Sequence, residues 1–276
     1  MADLEQTKRL FDDQSAEYER LTGGCTRRIA AIGIKSLPPL TSSTHILDLA
    51  CGPGIVTKVI LDTAAEQGVV PPPRITSVDI AGPMIEQLEI SKQVHGWTAV
   101  ETKILNAQKL EGLADESFDA VFMNFGLFAV PDAGEGAKEM LRVLKPGGAA
   151  IVTTWKEAPT IQLLEEATAS IRPDCVSRVQ PVAKEWMTKE KLRDTLLSGG
   201  FLDGKIIIST PETSWENKSV DEFVDAMCSP FWARVRDGWS EDENGRWRGE
   251  LGKRVIVNES GRAVFPMTAW MAVATK

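Results

Sequence analysis

Histidine, tyrosine and cysteine are scarce in this 276-residue chain, with two, one and four copies. The cysteines, Cys25, Cys51, Cys175 and Cys228, form no C-x-x-C pair, and no histidine stands at ligand spacing from them. A structural zinc site is therefore excluded, and no metal is expected. Positive charge is also short: 31 basic residues face 39 acidic ones, for a formal charge of −8 and a pI near 5.0. An acidic surface repels phosphates, which disfavours a nucleic-acid partner. No run approaches the roughly 18 apolar residues of a membrane span. The first twenty residues lack the apolar stretch of a signal peptide, so a cytoplasmic protein with free thiols is expected. Hydrophobic residues make up 43% and charged residues 25%, values that exclude a disordered chain and a fibre.

What is present alternates. Residues 3–36 carry Leu4, Leu10, Phe11, Ile29, Ile32 and Ile34 near helical spacing, until Pro38 and Pro39 end the run. His45 to Ala50 reads as a first strand, Cys51 to Gly54 as a tight turn, and Ile55 to Gln67 as a helix. Strands follow over Arg74–Asp79, Trp97–Leu105, Phe118–Asn124 and Ala149–Trp155, with helices over Met84–Val94 and Asp132–Leu144. Lys145 to Gly148 reads as a turn before the fifth strand. Five strand–helix alternations within 155 residues predict a parallel, doubly wound sheet. Later segments are less regular. Helices are expected around Ile161–Ile171, Thr188–Leu197, Val220–Met227 and Phe231–Val235, and strands over Gly204–Ser209 and Val264–Ala274. Glu241 to Arg248 reads as a polar surface loop or frayed helix.

The segment from Leu47 to Gly54 carries the chemistry. A strand runs into a loop of small residues, and a helix follows. Small residues let a ligand approach the backbone, and a helix N-terminus offers free N–H groups. An ordinary strand–helix turn would use the same glycine pair. Two carboxylates favour the ligand. Asp79 ends the second strand, where it can accept both hydroxyls of a ribose. Asp48 lies in an apolar strand, where a carboxylate needs a ligand cation or loop N–H groups as partners. The dinucleotide fingerprint is broken, because no third glycine follows Gly54. A phosphate-binding P-loop is excluded, because no Gly-Lys-Ser/Thr follows.

The chain resembles the class I S-adenosylmethionine-dependent methyltransferases, in order, over roughly residues 44–210. Their first motif looks like Asp48 to Gly54, with Ala50 in place of the usual first glycine. The resemblance implies that Asp79 binds ribose, that Ile80 packs on adenine, and that Asn106 and Ala107 form the third motif, Asn106 standing where the family commonly has Asp. It places Met84 in the cofactor site as well. Asn124 and Phe125 match the fourth motif, and Leu141 to Gly148 the turn before strand five. Within this class the ubiquinone-biosynthesis-like subgroup looks nearest. Trp97–Asn106, Asn124–Asp132 and Thr153–Trp155 look like fungal small-molecule methyltransferases, the gliotoxin bis-thiomethyltransferases among them. The implied fold is a Rossmann-like, doubly wound α/β domain. Its sheet has seven mainly parallel strands, with an antiparallel last strand and a helical cap. One domain over 1–276 is expected, with lid helices over 1–43, a cofactor-binding core over 44–155, and cap insertions over 156–187 and 211–262.

The implied activity is methyl transfer from S-adenosylmethionine to a small molecule. His45 and His95 fall at the amino ends of strands, away from the ligand edge. With no histidine to act as base, sulfur is the favoured acceptor, in a secondary metabolite. A thiol supplies its own thiolate, and an amine attacks once neutral. Oxygen or a quinone ring carbon would need a positioned base. A non-catalytic cofactor-binding protein is the alternative of another class. Candidate acceptor contacts are Phe128, Trp155, Phe231 and Trp232, any of which could instead be core; Trp270 reads as core. Tyr18 either covers the cofactor from a lid helix or packs on the sheet. Arg27 and Arg28 read as a solvated helix face. Nothing in the sequence sets an oligomeric state.

Overall fold

The computed structural model describes residues 21–179 and 182–276. The amino-terminal half of the 3–36 helical run lies outside the described residues. Its remainder forms α1 (Cys25–Ile34). A core of alternating elements follows: β1 (His45–Leu49), α2 (Ile55–Glu66), β2 (Arg74–Asp79), α3 (Gly82–His95), β3 (Val100–Ile104), β4 (Phe118–Asn124), α4 (Ala133–Val143) and β5 (Leu144–Glu157). The parallel strands β1, β2 and β4 are buried runs rather than alternating ones, because helices cover both faces of the sheet. Strand order is β3-β2-β1-β4-β5-β8-β6. The chain reverses direction of travel between β1 and β4, which pair in parallel through Leu47 and Val121. In an open sheet a cleft forms at that switch, outside the carboxyl ends of the strands.

Three particulars differ from expectation. Lys145 to Gly148 is part of β5, whose register against β4 shifts between Phe118 and Ala120. The shift lets Asp119 accept from the Lys145 ammonium at 2.8 Å and from the His45 backbone N–H at 2.8 Å. The sheet also has eight strands rather than seven. Beyond α5 (Pro159–Ala169), α6 (Lys189–Ser198) and β6 (Ile206–Ser209), residues assigned to the cap form β7 (Glu212–Asn217). This strand pairs antiparallel with β8 (Ala263–Thr275). Its polar sequence hides it, since only Trp215 and Asn217 are buried. The 13 residues of β8 are long enough to pair with β7 at one end and β6 at the other.

The third difference is α8 (Glu241–Arg254), a full helix where a loop or frayed helix is expected. Only Trp247 and Leu251 are buried in it, too few for a clear periodicity. A capping box starts it: Ser240 accepts from the Glu243 N–H, and Glu243 accepts from the Ser240 N–H. Helix α8 packs against α5 and α7 (Val220–Cys228). The Trp247 ring is fully buried, donates to the Thr168 hydroxyl at 3.2 Å, and lies beneath the Arg236 guanidinium at 5.2 Å.

Helix α1 rests on the sheet. A Cβ on Gly33 would stand 3.1 Å from Ile151 and 3.2 Å from Phe122, so glycine permits the close approach. Arg28 is half-exposed and also bonded across to the sheet. It donates to the Thr213 hydroxyl at 3.1 Å and to the Ser214 carbonyl, tying α1 to β7. Among the described residues no helix is long and apolar enough to cross a membrane.

Trp247 is the keystone of the helices beside β5. Trp247→Ala is expected to destabilise the protein by about 3–5 kcal/mol, the usual range for a buried tryptophan. Urea titration followed by circular dichroism measures it.

Candidate active site

At the carboxyl ends of β1, β2 and β4 lies a cleft with about 900 Å³ of empty space, part of it open solvent. The β1–α2 loop forms one side. Ala50, Gly52 and Gly54 all have positive φ, at 55°, 54° and 90°. Ala50 is the exception among them, because its Cβ makes this conformation cost about 1 kcal/mol. The opposite loop yields to it. A Cβ on Gly126 would stand 2.7 Å from the Ala50 Cβ. The missing first glycine of the motif is thus matched by a glycine across the cleft.

Asp79 links the two loops on this side. Its carboxylate accepts from the Gly52 N–H at 2.8 Å and from the Ala81 N–H at 2.9 Å. It is 9% exposed and lines the cleft.

Asp48 does not line the cleft. It is buried behind the loop, where one oxygen accepts from the Thr57 N–H at 2.9 Å and the Thr57 hydroxyl at 2.7 Å. Thr57 is the third residue of α2, whose N-cap Gly54 has no side chain to offer. Asp48 therefore satisfies a first-turn N–H from the neighbouring strand. Its second oxygen is buried without a hydrogen-bond partner. Burial pushes its carboxyl up to about 7 from an ordinary 3.8, and the nearby Asp79 charge adds to the rise.

Ile80, Met84, Asn106 and Ala107 line the cleft together with Leu105, which the sequence had not marked. Asn106 turns its amide oxygen onto the Gln108 N–H at 2.9 Å. An aspartate at this position would offer the same acceptor. Ile55 and Val56 bring the first turn of α2 to the cleft.

Asn124 and Phe125 close the far side. Phe125 has φ 56°, an outlier for a bulky residue that costs on the order of 1–3 kcal/mol. Its N–H donates to the Thr153 hydroxyl at 2.9 Å, and its ring stacks on Trp155 with centroids 4.0 Å apart. The candidate acceptor contacts do not gather in the cleft. Trp155 lies behind Phe125, Phe128 packs partly buried against the core, and Trp232 is buried. The cleft mouth is formed instead by Ala129, Val130 and Pro131, which follow Phe128. Trp270 donates to the Met187 carbonyl at 2.9 Å, holding the cap to β8. Tyr18 and the Phe231 side chain lie outside the described residues. Thr26 of α1 also lines the cleft, and no motif in the sequence announces it.

Of the described lining residues, only Asp79 and Cys51 carry titratable side chains. Burial raises the Cys51 thiol well above its ordinary value. His45 starts β1, where its ring meets the Thr76 hydroxyl at 3.0 Å, and His95 ends α3. Neither lines the cleft.

The ubiE/COQ5 methyltransferase family profile matches residues 26–171. The chain belongs to this family. Methyltransferase ucsB of an Acremonium species is 30% identical over 234 residues, spanning 80% of this chain and 76% of that protein. A demethylmenaquinone methyltransferase of Staphylococcus aureus is 32% identical over 178 residues, spanning 61% and 67%. The fold is shared with a Haemonchus contortus phosphoethanolamine N-methyltransferase solved with S-adenosylhomocysteine. There the TM-score is 0.56 at 15% identity, covering 98% of this chain and 59% of that one. The chain is therefore an S-adenosylmethionine-dependent methyltransferase of small molecules, with a Rossmann-like fold. The donor set fits that cofactor. A carboxylate stands at the end of β2 for hydroxyls, apolar Ile80, Met84 and Leu105 offer a surface for a base, and Gly52 leaves open space where a Cβ would project.

Gly126→Ala is expected to cost about 1–3 kcal/mol through the Ala50 contact, and Ala50→Gly in the same chain to recover most of it. Thermal unfolding of the single and double variants measures the coupling.

Asp48 sets a second expectation. Its folded-state value lies above its unfolded value, so its contribution is full below about pH 4 and is lost as pH rises through about 7. The stability of the wild type relative to Asp48→Asn should fall between about pH 4 and pH 7, by at most about 4 kcal/mol. Urea titrations of both proteins across that range test the sign.

Proposed function

We propose that this enzyme methylates a sulfur atom of a small thiol-bearing secondary metabolite, by proximity and without a protein base. The supporting observation is the chemistry of the cleft lining. Its two titratable groups are poor bases: Asp79 already accepts two backbone N–H groups, and the Cys51 thiol is held protonated by burial. An acceptor that ionises on its own needs neither. A thiol with an ordinary pKa near 8.5 supplies a useful thiolate fraction at neutral pH.

In this reading Ala50, Gly52, Asp79, Ile80, Met84, Asn106 and Ala107 hold the cofactor, and Asp48 braces the loop from behind. S-adenosylmethionine brings a methyl group already activated on a sulfonium. Asn124 and Phe125 stand between cofactor and acceptor. The cap, over 156–187 and 211–262, closes above them and excludes water. Phe128, Phe231 and Trp232 shape that closure, and Tyr18 covers it from the lid segment over 1–43. Trp155 acts through Phe125, whose ring it stacks on, rather than by touching the acceptor. What this chain supplies is orientation: two reactants held at near-attack distance in a dry site gain most of the rate. The four free cysteines suit a reducing cytoplasm, and the acidic charge suits a protein with no nucleic-acid partner.

A second reading is a quinone ring carbon, favoured by the likeness to the demethylmenaquinone enzyme. Incubation with methyl-labelled S-adenosylmethionine and a panel of dithiol, amine, phenol and quinone acceptors separates the two. The expected label is on sulfur, with a rate that rises with pH as the acceptor thiol ionises. Label confined to carbon or oxygen would overturn the sulfur reading.

A further inference from the structure

We propose that Thr153, near the end of β5, is a positioning residue that holds Phe125 in its left-handed conformation and aims the Asn124 amide at helix α1. The proposal rests on reading this cleft as the S-adenosylmethionine site. Its basis is a directed chain of hydrogen bonds. The Phe125 N–H donates to the Thr153 oxygen at 2.9 Å. That leaves the Thr153 hydroxyl proton for the Asn124 amide oxygen, 2.8 Å away. With its oxygen so engaged, the Asn124 amide presents its nitrogen to the Thr26 carbonyl at 3.2 Å. Three residues that line the cleft, Thr26, Asn124 and Phe125, are thus oriented through one side chain.

Thr153 itself does not line the cleft and is 1% exposed, so it acts through its neighbours. The geometry requires a group that accepts and donates at once. A hydroxyl does both, and a methyl does neither. Without it, the buried Phe125 N–H loses its acceptor, and the φ of 56° loses one of its two restraints, the other being the Trp155 stack. The Asn124 amide is then free to turn away from Thr26. Helix α1 would keep its Arg28 tie to β7 but lose its tie to the cleft.

The test compares Thr153→Val, which keeps shape and loses the hydroxyl, with Thr153→Ser, which keeps the hydroxyl. Two readouts are taken: S-adenosylhomocysteine affinity by calorimetry, and amide hydrogen exchange across Cys25–Ile34. Thr153→Val is expected to weaken binding about tenfold and to speed exchange in α1, with Thr153→Ser within about twofold of wild type on both. Asn124→Asp, which removes the donor to Thr26, is expected to speed α1 exchange likewise, and it stands in if Thr153→Val does not fold. Equal losses in the serine and valine variants would assign the role to packing and overturn the proposal. Wild-type binding and exchange in the valine variant, or in Asn124→Asp where it stands in, would overturn it as well. If the wild type itself fails to bind S-adenosylhomocysteine, the cofactor assignment of the cleft falls, while the exchange readout still decides the role of Thr153.

Discussion

Two loops leave the sheet at the ends of β1 and β2, and a single carboxylate binds both. Asp79 accepts from Gly52 in one and from Ala81 in the other. The β1–α2 loop has positive φ to maintain at three alternate residues, one of them an alanine. Small residues give it the freedom to adopt that path but no side chains to hold it. The holding is done from outside, by Asp79 at the front and by Asp48 behind. The two acids divide the work by burial. Asp79 lines the cleft, so it faces a ligand as well as the loop. Asp48 is sealed, bonded to the first turn of α2, and pushed toward neutrality. A glycine N-cap on α2 is affordable only because the neighbouring strand satisfies the first-turn N–H.

The opposite side of the cleft is organised differently. There the strained residue is Phe125, and its restraints come from β5, the next strand in the sheet. The two sides meet at the Ala50–Gly126 contact. Each side holds a non-glycine residue in the left-handed region, and strain of this kind persists only where the surroundings over-determine it. A cleft walled by such residues is fixed before any ligand arrives. That suits a reaction in which orientation supplies the rate, because little ordering remains to be done on binding.

The parallel core was legible because β1, β2 and β4 are short, mostly buried runs that end at a turn, an acid or a polar residue. The same feature made the cleft legible: Ala50, Gly52, Asp79, Ile80, Asn106, Ala107, Asn124 and Phe125 all sit at strand ends, where the topology brings them together. Thr26 escaped notice, and Thr153 was marked only within a resemblance, for a physical reason. Their roles are defined by partners 98 and 29 residues away from or toward Asn124. No local pattern marks a threonine as the acceptor for a distant N–H. Strand β7 and helix α8 escaped for another reason. Each buries only two side chains, so neither leaves a period in the sequence.

The acceptor contacts were the least legible part, and the fold explains why. Phe128 and Trp155 follow strand ends and Trp232 lies in the later half of the chain, yet the core takes up the same aromatic bulk. Trp155 spends its face on Phe125, and Trp232 is buried away from the cleft lining. The cofactor is a constant, and the residues around it answer to fixed chemistry at fixed strand ends. Outside the cofactor core, Trp186 and Met187 hang from β5 and β8 by backbone carbonyls. Bonds to carbonyls tolerate almost any side chain on the acceptor side of the bond. A segment fastened this way can vary its exposed side chains without disturbing the sheet that holds the cofactor.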